Sequence, residues 1–248
     1  MSLLAKHRAK QAAAKVEIAE NKDVLGGAKG PLKSDAYKMK VESAFIKEAA
    51  SGAMGIVMEF SGEDGIKFRN TQYATSGTKK GGNHYWTDKD GVNHELPGFT
   101  VVNEICKYTT GKGLFDLEEE NVVIPLYNFE QRAELPTEVP MLTDLIGMEV
   151  VLGIQEIIEN KSVKGNNGYV KTAETRKINE VNKVFNEDGF TATELKAGLE
   201  EPVFINAWLD KNKDVLIDKV DKNITAAAPV AGGAPTAAPK KSGIFGKK

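Results

Sequence analysis

The chain has 248 residues, 41% hydrophobic and 27% charged, the balance of a globular protein built as one mid-sized domain with appendages. No run of about 18 apolar residues occurs, which excludes a membrane-spanning helix, and the charged, Ala-rich start lacks the apolar stretch of a secretory signal. One cysteine, Cys106, excludes an internal disulfide framework and fits a reducing compartment, and the net charge of −2 excludes a uniformly basic surface.

In chain order, residues 2–22 are rich in Ala, Lys and Glu, strong helix formers, and predict an N-terminal helix. Gly26, Gly27, Gly30 and Pro31 then break the chain, so residues 1–35 read as a helix and linker. From Tyr37 the pattern turns to β. Met39, Val41, Ser43 and Phe45 alternate with polar residues, Met54 to Phe60 follows as a second strand, and Ser61 to Gly65 supplies a hairpin turn. Ile66 to Ala74 is a third strand, with Ile66, Phe68, Asn70 and Gln72 on one face and Lys67, Arg69, Thr71 and Tyr73 on the other. Tyr85-Trp86 and Val92-Asn93-His94 form a hairpin around Asp88-Lys89-Asp90-Gly91. Phe99 to Lys107 predicts a helix. Val122 to Phe129 reads as a strand that Pro125 confines to an edge. Pro136, Pro140 and the run Met141–Ile146 predict a loop and a short helix ended by Gly147. Met148 to Ile158, apolar and β-branched, is the central strand. Asn160 to Gly168 is a basic hairpin tip, and Tyr169 to Phe185 returns as a strand. Thr191 caps a short helix, and Phe204 to Lys219 holds a helix, or a helix plus a strand, around Trp208. Residues 223–248, rich in Ala and Pro, read as a disordered tail with a basic tip. The expectation is a mainly β fold with a few helices: an OB-like antiparallel β-barrel over residues 36–222, because closure removes exposed strand edges.

No nucleotide-binding, hydrolase or metalloprotease motif is present. His7, His84, His94 and Cys106 match no zinc spacing. Glu118-Glu119-Glu120 offers oxygen ligands to a hard cation but reads first as a solvated segment. Cys106 lacks a His/Asn partner and reads as a buried small hydrophobe. No catalytic, metal or cofactor residues are therefore assigned.

What the sequence does contain is aromatic residues interleaved with cations. Lys67, Arg69 and Tyr73 share a strand face, and Lys79, Lys80, Tyr85 and Trp86 follow. Tyr127 lies near Arg132, and Lys161, Lys164, Tyr169, Lys171 and Arg176 form a third group. Single-stranded nucleic acid is held by such sets, cations along the phosphates and rings on unpaired bases. Phe68 and Trp208 read as core, and Tyr85-Trp86 is open between core and base stack. The charge is uneven. Residues 1–40 hold nine Lys/Arg against four Asp/Glu, and residues 222–248 five Lys and no acid, which leaves −12 on residues 41–221. That acidic middle argues against a duplex-wrapping protein. In the tail, Ile244 and Phe245 between lysines, with Lys247 and Lys248 for steering, read as a protein-docking tip seeking an acidic surface.

Four segments, Ser51-Gly52-Ala53-Met54-Gly55-Ile56, Leu96-Pro97-Gly98-Phe99, Leu135-Pro136-Thr137-Glu138-Val139-Pro140-Met141-Leu142 and Lys171-Thr172-Ala173-Glu174-Thr175-Arg176-Lys177-Ile178-Asn179, carry a resemblance. They resemble the single-stranded DNA-binding proteins of podoviruses that carry a virion RNA polymerase, over roughly residues 37–220. The resemblance implies an OB core that coats single-stranded DNA in phage replication and recombination, in the cytoplasm of the infected bacterium. It also implies contact with RNA polymerase or replication proteins in transcription. The basic tip departs from the acidic, aromatic-ended tails of many such proteins. Two other classes stand beside this expectation: a transcription-regulating adaptor working through the tail, and a structural virion protein with an acidic barrel.

Overall fold

A bulge in the first strand organises the molecule. The computed structural model describes residues 30–128, 130–165 and 168–224. The expected N-terminal helix and basic tail lie outside them. Strand β1 (Asp35–Glu48) pairs antiparallel with β2 (Met54–Gly62), and its register slips between Val41 and Ser43. The extra residue, Glu42, reverses the inward phase. Met39 and Val41 face the main core before it and Ala44 after it, while Phe45 turns to the opposite side. β3 (Lys67–Tyr73) adds antiparallel to β2. β1 is shared, because its first half also pairs with β8 (Glu149–Gly165) and its second half touches β7 (Ala133–Met141) at Met141. β9 (Gly168–Phe185) pairs with the other edge of β8. The long path is therefore β3-β2-β1-β8, with β9 beyond it and the short β10 (Leu216–Asp218) parallel to β8.

Helix α1 (Pro97–Thr110) begins with Pro at its first turn and ends at Gly111, in the left-handed region at φ 75°. It packs against both β3 and β9 and buries Phe99, Val102, Ile105 and Cys106 among Ile56, Met58, Phe60 and Leu152. The fold is mainly β and largely antiparallel, but among the described residues the expected closure is absent: β3 pairs only with β2, and β9 only with β8. The physical reason is α1, which packs against the two strands that closure would have to join.

Two smaller clusters lie outside this core. The hairpin of β6 (Glu120–Asn128) and β7 sets Val122, Ile124, Val139 and Met141 on Phe45 and Val57. Residues 133–141 are thus strand rather than the expected loop. Pro125 faces Pro136 and Pro140 faces Asn121, so the three missing N–H donors fall on two rungs of the ladder. Only the one-turn 3-10 helix Thr143–Leu145 matches the short helix expected there. On the other side α3 (Phe204–Asn212) lays Trp208 against Val151 and Phe185, the core role expected of Trp208. The tip expected at 160–168 is shorter, since β8 continues to Gly165.

Gly98 ties α1 to β3. A Cβ there would fall on the Tyr73 carbonyl oxygen and within 3.0 Å of the Tyr73 nitrogen and carbonyl carbon. Backbone cannot step aside as a side-chain tip can, so Gly98→Ala forces the helix off the strand. Overpacking of this kind costs about 2 kcal/mol, expected as a fall of roughly 4–8 °C in Tm for a domain of this size, measured by thermal unfolding.

Candidate nucleic-acid interface

Strand alternation sets the first part of the site. Phe68 is buried, while Lys67, Arg69, Thr71 and Tyr73 are exposed on the opposite face of β3, as the alternation predicts. Cross-strand register adds residues that sequence reasoning did not pick. Lys47, Gly55 and Tyr73 form one row, and Ser43, Glu59 and Arg69 another. A Cβ on Gly55 would lie 3.2 Å from a Tyr73 ring carbon, so the ring rests across the glycine and stays 54% exposed. This is a ring laid against the sheet with its outer side open, the posture a base stack requires.

The cations on this face are partly spoken for. Arg69 pairs with Glu59 at 3.3 Å, and Glu59 is also within 3.4 Å of the Ser43 hydroxyl. Glu42 accepts a hydrogen bond from Ser61, and that bond, with Lys40 beside it, holds its carboxyl below the ordinary range. Lys47 and Lys67 make no ion pair among the described residues.

The second part begins where the β1–β2 turn meets the segment after β3. Thr78 N–H donates to the Ser51 carbonyl at 2.8 Å, and Gly52 leaves no room for a Cβ against the Thr78 side chain. This contact holds the one-turn 3-10 helix Thr78–Lys80 beside the turn and presents Lys79 and Lys80 to solvent. Together with β4 (Tyr85–Thr87) it walls an open groove of about 1250 Å³ that includes Ser51, Gly77, Lys79, Lys80, Tyr85 and Trp86. A smaller depression of about 160 Å³ is lined by Lys47, Arg69, Thr71 and Tyr73. Both hollows border the end of β1, the larger at Glu48 and Ala50 and the smaller at Lys47 and Ala49.

Of the pair Tyr85-Trp86, Tyr85 is half-buried and Trp86 lies at the surface, outside the core. Trp86 is 50% exposed and stacks on His94 of β5 (Asn93–Glu95), with centroids 4.8 Å apart and planes at 27°. His94 Nε2 lies 2.8 Å from Asp88 Oδ2, and Asp88 Oδ1 accepts the N–H groups of Asp90 and Val92. The His94 bond and these N–H groups hold the Asp88 carboxyl below its ordinary range. One indole face is thus backed and fixed. Tyr85 meets His84 edge-on at 5.3 Å, and His84 packs on Phe99 and on the exposed ring of Phe115. Sequence reasoning did not select His84 or Phe115. The hairpin stands on the aromatic start of α1.

The remaining expected residues lie elsewhere. Lys161, Lys164, Tyr169, Lys171 and Arg176 all belong to the projecting part of β8–β9, where Lys164 faces Tyr169 and Lys171 faces Ser162. Lys161 pairs with Glu174 at 3.0 Å and Arg176 with Glu159 at 2.8 Å, so the hydrogen bonds described here tie the ribbon to itself. Tyr127 lies on β6 opposite Glu134, seven positions and roughly 23 Å along the strand from Glu120. Ile244, Phe245, Lys247 and Lys248 lie outside the described residues. Cys106 is fully buried, and burial pushes its thiol up to about 12, which keeps it a neutral part of the core. Among the described residues no three His, Cys, Asp or Glu side chains are grouped to hold a metal, and no helix is long and apolar enough to cross a membrane. No family model matches the chain, and no curated protein matches it.

Proposed function

We propose that this chain is a non-enzymatic single-stranded DNA-binding protein that acts in phage replication and recombination, in the cytoplasm of the infected bacterium. The observation that carries this reading is two hollows bordering the end of β1, one lined by Arg69 and the exposed ring of Tyr73 with Lys67 on the same strand face, the other by Lys79, Lys80 and the exposed ring of Trp86; the path of the bound strand runs from one to the other. Cations spaced along a groove follow a phosphate backbone, and rings with one open face take unpaired bases whatever their identity. A duplex keeps its bases stacked inside and offers these rings nothing. The strand order supports an OB-like core: β1 shared between β2 and β8, a helix before β8, and two inserted hairpins. In that fold the face of the second and third strands, with the loop joining the last two, binds oligonucleotides. Here those parts are β2–β3 and the tip of β8–β9. Residues 240–248 carry contacts to RNA polymerase or replication proteins in this reading.

A fluorescence titration with a 30-mer of oligo-dT, against duplex of equal length, tests the proposal. Tryptophan emission should quench with the single strand and hardly change with duplex. Four phosphate contacts predict a log–log salt slope of about −3 at roughly 0.7 per contact. Binding that ignores salt, or equal affinity for duplex, refutes it. Glu59 competes with phosphate for Arg69, so Glu59→Gln should tighten binding up to about fivefold at low salt, the scale of an exposed ion pair. Unchanged affinity would remove Arg69 from the path.

A further inference from the structure

An exposed apolar groove beside α3 lies in a segment with a local excess of acidic charge. Val203 is 61% and Phe204 45% exposed at the start of α3. With Ala207 they face Lys183, Thr191 and Thr193 across a groove of about 440 Å³. Residues 186–210, which supply its lining apart from Lys183, hold six acids (Glu187, Asp188, Glu194, Glu200, Glu201 and Asp210) against the single Lys196, of which Glu194 is turned inward as a cap and the other five remain for a partner. Lys183 at the wall is neutralised by Glu104 at 3.1 Å. Exposed large apolar side chains ringed by one sign of charge mark a contact surface.

The complementary element is on the same chain. Residues 240–248 read Lys-Lys-Ser-Gly-Ile-Phe-Gly-Lys-Lys: an apolar pair between four lysines, with no acid. The path is short enough. Asp221 N–H donates to Asn160 Oδ1 at 2.7 Å, which fixes the departing chain beside β8. The groove lies by Lys183, which faces Gly153 on that strand, seven residues and about 23 Å from Asn160. The 23 residues from Asp221 to Ile244 can span up to about 75 Å. The geometry points to an intramolecular dock: Ile244 and Phe245 enter the groove at Val203 and Phe204, and the flanking lysines meet Glu200, Glu201 and their acidic neighbours. Tethering makes the effective concentration of the tip far higher than that of a free competitor. A docked tip is withheld from other acidic partners until one displaces it. This inference is independent of the DNA-binding reading.

The test uses the full chain and a fluorescein-labelled peptide of residues 239–248, followed by anisotropy without DNA. Ile244→Ser with Phe245→Ser empties the groove and should raise peptide affinity at least tenfold over the wild type. Adding Glu200→Lys and Glu201→Lys, both at exposed positions, should remove at least tenfold of it, while the thermal melt stays unchanged. Equal peptide binding by wild type and tip variant overturns the dock, as does binding that survives reversal of the rim. If the wild-type block fades as the protein is diluted, the tip sits on a neighbouring molecule, and the intramolecular dock is overturned as well.

Discussion

Tyr73→Ala combined with Trp86→Ala should lower affinity for oligo-dT by a factor of 100 or more at moderate salt. Each base–aromatic stack contributes about 1–3 kcal/mol, and the two rings occupy separate parts of the path, so their losses should nearly add. At about 1.5 kcal/mol each the sum is about 3 kcal/mol, just over 100-fold. Both side chains are half exposed, at 54% and 50%, so truncation leaves little cavity and the fold should survive. The salt slope should stay near its wild-type value, because no phosphate contact is removed. Arg69→Ala with Lys67→Ala is the complementary change: it should flatten the slope by about 1.4 at 0.7 per contact and leave the stacking intact. Titrations at four salt concentrations separate the two effects. An unchanged affinity in the aromatic double variant would sink the base-stacking groove.

Much of this path was readable in the alternation of β3. Lys67, Arg69 and Tyr73 fall on one face because a strand has a period of two, and Phe68 marks the other as core. The parts that were not readable depend on register and on distant packing. Gly55 becomes the floor under Tyr73 only because β2 and β3 pair in one of several possible offsets. Phe115 supports the Trp86 hairpin only through His84, across chain brought together by α1. The bulge at Glu42 shifts the phase of β1 after a run that alternates regularly. The prolines of β7 argue for a loop when read singly, and the pairing of Pro136 with Pro125 is a property of two strands. The open sheet has the same origin, for no local signal says that α1 will lie against both β3 and β9. The lysines of the β8–β9 ribbon read as a group of their own on a hairpin, and strand geometry keeps them there, with Lys161 and Arg176 paired within the ribbon.

The largest loss of stability should come from a carboxylate remote from the DNA path. Glu194 lies in helix α2 (Ala192–Ala197) and is 6% exposed. Its Oε2 accepts the Thr191 N–H at 2.8 Å and the Thr191 hydroxyl at 2.9 Å, while Oε1 accepts the N–H groups of Val203 and Phe204 at 2.9 and 2.7 Å. One side chain thus caps its own helix and the start of α3, groups left unmatched by intrahelical bonds. Burial pushes the Glu194 carboxyl up, but the bonds from Thr191, Phe204 and Val203 outweigh it and hold the group below the ordinary glutamate range. Glu194→Ala strands several buried donors and should cost about 3 kcal/mol, a fall of roughly 6–12 °C in Tm. Glu194→Gln keeps the shape and one acceptor, and should lose less. The pH dependence has a definite sign. A carboxyl whose folded pKa is depressed contributes its full stability above the unfolded value, near 4.3 for glutamate, and loses it as pH falls through the lower folded value. The gap in stability between wild type and Glu194→Gln should therefore be constant from pH 8 to pH 6 and narrow below about pH 4. Urea unfolding at each pH measures it. A gap that persists at low pH would mean that the difference between the two does not come from the Glu194 charge.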